Sequence, residues 1–190
     1  MDMDMPHVTV FGGSLPKPGD EAYQQALHLG VLLGSAGYTV LTGGYIGTME
    51  AVSRGAAENG GHVIGVTCEE IEAWRPVHAN PWVQEEMRFK TLRQRLFALI
   101  EYCDAAVVMP GGIGTLAELG EMWSHLQTGG ITPRPLILVG AGWRDVMEQF
   151  FKSFGGFVPD KYRQILSFAE DVDRAFAMLQ SWDGAGKKQD

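Results

Sequence analysis

Five short apolar runs, each followed by a stretch of different period, constrain this 190-residue chain more than any other feature. They read "HVTVFGG", "YTVLTGG", "HVIGVT", "DAAVVMP" and "RPLILVGAG". Each is too short for a helix, rich in β-branched residues and apolar on both faces, so each predicts a strand that must be covered from two sides. Between them lie segments with helical spacing: "EAYQQALHLGVLLGSAG" with its stop at Gly37, residues 48–59, residues 84–102, "LAELGEMWSHLQTGG", "WRDVMEQFFKSFG" and "DVDRAFAMLQSW". The stretch "EEIEAWRPVHANPW" has no clear period and reads as an irregular loop. Alternation of this kind predicts a doubly wound, Rossmann-like α/β fold, a parallel sheet with helices on both faces. The length suits one domain spanning residues 1–190, with residues 1–6 and 183–190 expected to be flexible.

In such a sheet, ligands gather outside the carboxyl ends of the strands. Three loops fall there: "FGGS", "TGGYIGT" and "PGGIGT". The last two echo each other, since "GGYIGTME" and "GGIGTLAE" each hold a glycine pair, a third glycine before threonine, and then a helix. One such loop need only be a tight strand-to-helix turn. Two at equivalent strand ends favour an anion site built from backbone N–H groups. Neither loop has the lysine of a P-loop, and neither matches the dinucleotide fingerprint.

Glu118 has two readings. Thr115-Leu-Ala-Glu118 fits a capping box, in which the carboxylate in the first helical turn bonds back to its own helix start. The alternative is catalytic and needs a partner. The segment "MRFKTLRQRLFALIEYCD" carries Arg88, Lys90, Arg93 and Arg95, and a helix there places Leu92, Leu96 and Leu99 on one face with Arg88 and Arg95. Arg93 and Lys90 read as a solvated basic face. Arg95, among apolar neighbours, fits that account less well.

Charge and composition exclude several classes. A formal charge of −8 argues against a nucleic-acid partner, which selects for a basic face. No apolar run approaches a membrane span, and the first ten residues lack the apolar stretch of a signal peptide. Cys68 and Cys103 form no ligand or disulfide pattern, which points to a reducing cytoplasm. The five histidines show no metal-binding spacing, so no metal is expected.

"R…PGGIGTLAE", with Arg95 fifteen residues before Pro110, resembles the R…PGGxGTxxE signature of the LOG ("Lonely Guy") family, whose members were earlier labelled lysine decarboxylases. The resemblance runs over roughly residues 8–140 and includes "VFGGS", "GGYIGTMEA" and "GGHVIGV". It implies a phosphoribohydrolase that splits a nucleoside 5′-monophosphate into free base and ribose 5-phosphate, without a cofactor. By position it makes Arg95 and Glu118 the catalytic pair. It makes Gly13, Ser14, Gly43, Gly44, Gly47, Thr48, Gly111, Gly112, Ile113, Gly114 and Thr115 the substrate-binding positions. It also implies a homodimer.

The chain departs from the family pattern in three places. Leu96 stands where the plant-type sequence has lysine, "GGYIGTMEA" replaces GGGxxGLMG, and "GGS" replaces GSS. These departures leave the base open. "GGYIGTMEAVSRGA" also looks like the corresponding loop of molybdenum-cofactor carrier proteins, so a nucleotide- or molybdenum-cofactor-binding carrier without turnover is the alternative. Pyridoxal chemistry needs a Schiff-base lysine, and none of the lysines falls at a strand end.

Overall fold

The computed structural model describes residues 6–182. The expectation of flexible ends therefore lies, Pro6 apart, outside the described residues. The elements run β1 (His7–Phe11), α1 (Glu21–Ser35), β2 (Thr39–Thr42), α2 (Thr48–Glu58), β3 (His62–Cys68), α3 (Glu69–Trp74), β4 (Glu85–Phe89) and α4 (Leu92–Glu101). They continue through β5 (Ala105–Val108), α5 (Ile113–Thr128), β6 (Leu136–Val139), α6 (Ala141–Phe154), α7 (Asp160–Arg163), β7 (Leu166–Ala169) and α8 (Val172–Gln180).

The strands form one sheet in the order β4-β3-β2-β1-β5-β6-β7, and every pairing is parallel. This is the doubly wound α/β architecture that the alternation predicts. The period of two along the strands sorts the core into two layers. Val8, Val10, Val40, Val63, Val107, Ile137 and Val139 face α1, α2 and α8. Phe11, Leu41, Ile64, Val66, Ala106, Val108, Leu136 and Leu138 face α4, α5 and α6. From β1 the chain winds outward to β4, then returns to the other side of β1 as β5. The order of winding therefore reverses between β1 and β5, where a doubly wound sheet opens a crevice at its carboxyl edge.

The structure corrects the sequence reading at four places. Residues 84–102 are not one helix: residues 85–89 are the edge strand β4, paired with Ile64–Cys68, and the helix begins only at Leu92. The break is a capping box, since the Thr91 hydroxyl accepts from the Gln94 N–H at 3.2 Å and Thr91 N–H donates to Gln94 Oε1 at 3.3 Å. The charges of "EEMRF" suit an edge strand, where they discourage pairing with another sheet. Residues 69–74, read as loop, form the short helix α3. A strand, β7, occupies residues 166–169, where none is expected. Finally, Glu118 does not lie in the first turn of its helix, because α5 begins at Ile113 with Gly112 as its N-cap.

Candidate active site

Three glycine loops meet at the carboxyl edge, at the β1–β5 crevice. Gly13 N–H donates to Pro110 O at 3.1 Å, tying the first loop to the third. Gly13 O accepts from Thr48 N–H at 2.9 Å, tying the first to the second. Gly47 makes this closeness possible in two ways. Its φ of +76° suits glycine, and a Cβ there would stand 2.6 Å from both Gly13 O and the Ser14 carbonyl carbon.

The expected binding positions fall into two groups. Gly111, Gly112, Ile113 and Gly114 are exposed, and a Cβ on Gly112 or Gly114 would meet nothing within 4 Å. No side chain caps α5, so the N–H groups of its first turn face outward with the positive end of the helix dipole behind them. Thr48 and Thr115, by contrast, are 2% and 3% exposed. Each packs against a glycine, Thr48 on Gly12 and Thr115 on Gly111, so they brace the loops from below. Gly43 and Gly44 are also buried. Gly43 lies against Arg95, and Gly44 lies against Gly65 and Thr67 of β3.

Of the four basic residues in 88–95, only Arg95 is buried. Arg88 belongs to β4, not to a helix face, and bonds outward to Glu72 at 2.6 Å. Arg93 lies over the Phe97 ring. The Arg95 stem runs from α4 across the ends of β2 and β3. Its Nε donates to Val66 O at 2.8 Å, its Cζ lies 5.8 Å from the centre of the Tyr45 ring, and Nη2 approaches Met49 Sδ at 4.0 Å. That leaves Nη1, which faces Glu118 Oε1 at 3.6 Å. The separation suits an ion pair but is too long for a hydrogen bond.

The Glu118 side chain is 13% exposed. Burial pushes its carboxyl up from 4.5 to about 7, and the positive charge of Arg95 offsets only part of that effect. The capping-box reading fails on geometry, since Thr115 is inside the helix and Glu118 lies a turn further along. What remains is a buried carboxyl, poised near neutrality, one turn beyond an uncapped helix start. It can exchange a proton at physiological pH, and its cation neighbour stabilises the ionised form.

Residues that sequence reasoning passed over complete the site. Tyr45 is 1% exposed; its hydroxyl accepts from Cys68 N–H at 2.8 Å and donates to Cys68 O at 3.1 Å or Glu72 Oε1 at 3.3 Å. Its ring is thereby fixed as the floor under Arg95. Asn80 is buried and fastens the second glycine loop. Its amide donates to Tyr45 O at 2.9 Å and Gly44 O at 3.1 Å, and its backbone N–H donates to Gly44 O at 2.8 Å. Arg75, at the end of α3, donates from Nη1 to Ser14 Oγ at 3.4 Å. Tyr45, inside the glycine loop, carried a local signal; Asn80 and Arg75 carried none, lying in a segment without period. Among the described residues no group of three or more His, Cys, Asp or Glu could hold a metal ion, and no helix is long and apolar enough to cross a membrane.

The profile of a family described as "Possible lysine decarboxylase" matches residues 49–179. A cytokinin riboside 5′-monophosphate phosphoribohydrolase of Rhodococcoides fascians is 29% identical, over 92% of this chain and 89% of that protein. A protein of the same name from Oryza sativa subsp. japonica is 33% identical, over 92% of this chain and 73% of its own length. Among solved structures, the molybdenum cofactor binding protein of Rippkaea orientalis superposes with a TM-score of 0.74. It covers 94% of this chain and 98% of its own, at 22% identity, a likeness of fold alone.

Proposed function

The chain belongs to the family described as "Possible lysine decarboxylase", and from that membership we propose that it is a phosphoribohydrolase. It cleaves the N-glycosidic bond of a nucleoside 5′-monophosphate, giving free base and ribose 5-phosphate. The observation that carries this reading is the Arg95–Glu118 pair, with its carboxyl near neutrality, beside the open start of α5.

The geometry supports the following chemistry. The 5′-phosphate lies against the N–H groups of Gly112, Ile113 and Gly114, where the helix dipole favours an anion. Ribose then reaches inward toward Glu118. As the C1′–N bond breaks, its electron pair leaves with the base nitrogen, which takes up a proton from solvent that Glu118 later returns, and C1′ acquires oxocarbenium character. Ionised Glu118 accepts a proton from water as the water oxygen bonds to C1′. Arg95 favours the ionised form for that step, against the burial that raises the carboxyl to about 7. Gly13, Ser14, Gly43, Gly44, Gly47 and Thr48 shape the opposite wall, and Gly111 and Thr115 set the entry into α5. No step calls on a cofactor.

The relatives' names make cytokinin riboside 5′-monophosphates the first substrates to try, and Leu96 with the altered glycine loops leaves room for another base. The working unit is a homodimer in the cytoplasm. An aromatic cluster on α5 and α6 supports association: Phe150 packs edge-on against Trp123 and Phe151 and beside Phe154, while Phe154 and Phe157 are 52% and 83% exposed. Sedimentation of the purified protein measures that state.

The deciding experiment incubates the protein with AMP, other nucleoside 5′-monophosphates and isopentenyladenosine 5′-monophosphate. Release of base and ribose 5-phosphate by the wild type, absent in Glu118→Gln and Arg95→Ala, supports the enzyme. A wild type that binds nucleotide or molybdopterin without turnover overturns it in favour of a carrier.

A further inference from the structure

Resting on the phosphoribohydrolase reading, we propose that Arg75, not Arg95, is the cation that receives the substrate's 5′-phosphate. Arg95 is turned inward and spent: Nε on Val66 O, Nη1 toward Glu118, Nη2 packed between Met49 and Gly43. Arg75 is disposed differently. Its Nη1 donates to Ser14 Oγ at 3.4 Å, a long bond, and its Nε is buried with no hydrogen-bond partner. A buried guanidinium N–H that no protein acceptor satisfies retains its capacity to bind a charged oxygen.

The position fits a phosphate. Ser14 follows Gly13, which is bonded to Pro110 O and Thr48 N–H, so the guanidinium reaches the junction of all three glycine loops. The helix ends and the reach begins because Pro76 follows Arg75 and disfavours helical backbone there; φ and ψ are −139° and 122°. Trp74 steadies the side chain, with Cζ 5.6 Å from its ring centre. The acidic residues of α3 do not compete for it. Glu69 and Glu72 face Arg88 of β4, and Glu70 accepts from Leu92 N–H at 2.7 Å at the start of α4. Held beside the first glycine loop by Ser14, Arg75 can exchange a weak serine contact for a forked hold on a phosphate dianion.

The test uses the full chain with Arg75→Ala and Arg75→Lys, each checked for wild-type circular dichroism. Calorimetric titration with ribose 5-phosphate reads the site directly. Arg75→Ala weakens this affinity about tenfold or more, and Arg75→Lys restores part of it, as a charged contact without a fork does. With the monophosphate substrate, Arg75→Ala raises KM more than it lowers kcat, and narrows the preference for the monophosphate over the parent nucleoside. Wild-type affinity for ribose 5-phosphate in a folded Arg75→Ala protein overturns the proposal, as does a wild type that binds none. A wild type that binds ribose 5-phosphate through Arg75 yet cleaves no monophosphate overturns the hydrolase reading alone.

Discussion

Gly43 and Arg95 are fitted to one another. The Nη2 atom of Arg95 lies where a Cβ on residue 43 would project, with Met49 Sδ closing the same space. The glycine that follows the second strand therefore holds open the room in which the Arg95 guanidinium turns toward Glu118.

Gly43→Ala displaces Arg95, since the collision is with a side chain already fixed by Val66 O and the Tyr45 ring. Overpacking of this kind costs about 1–3 kcal/mol. Misplacing a catalytic group by about 1 Å costs on the order of 100-fold in kcat. Chemical denaturation and steady-state kinetics on the one variant measure both, and a variant with wild-type kcat shows that Arg95 is not placed by this contact.

In the proposed mechanism Glu118→Gln removes the proton acceptor while keeping the shape. The expected loss in kcat is about 100- to 10,000-fold. In the wild type, kcat rises with pH through about 7 as Glu118 ionises, then levels off. The profile is read on kcat at saturation, because the phosphate of the substrate has its own ionisation near about pH 6, which enters KM. A kcat that instead falls as pH rises through 7 identifies Glu118 as the acid and not the base.

The same carboxyl makes stability depend on pH. Its folded value, about 7, lies above the ordinary 4.5, so between those values the folded chain holds a proton that the unfolded chain has released. The contribution is complete below about pH 4.5 and is lost as pH rises to about 7, up to about 3 kcal/mol at one pKa unit per 1.36 kcal/mol. Urea denaturation at pH 5 and pH 8 measures the change. The wild type loses stability relative to Glu118→Gln over that interval, and parallel curves rule out a raised Glu118.

Gly114→Ala separates binding from folding. Residue 114 lies in the first turn of α5 and a Cβ there meets nothing within 4 Å, so the fold tolerates it. Alanine in place of a helical glycine adds about 0.4–1 kcal/mol of stability. In the proposed binding mode the methyl group crowds the phosphate, and KM for the monophosphate is expected to rise several-fold. Thermal melts and KM together check the prediction, and an unchanged KM moves the phosphate elsewhere.

What the sequence determined by itself is whatever neighbours along the chain decide. Short β-rich runs that are apolar on both faces favour buried strands, and glycine pairs after them favour turns, so five of the seven strands and the three crevice loops were legible in the sequence. The PGGIGTLAE string and the arginine before it carried the family for the same reason, since a strand, a turn and a helix start are local features. Tertiary structure decided the rest, because it depends on what lies across the sheet. Residues 85–89 became a strand because β3 offered an open edge, against a helical period that continues through them. That single change took Arg88 away from Arg95 and gave it to Glu72. Glu118 owes its raised carboxyl to burial by elements remote in sequence, and no spacing reports burial. Asn80 and Arg75 meet Gly44 and Ser14 across gaps of 36 and 61 residues, and only the packing of the fold brings such pairs together.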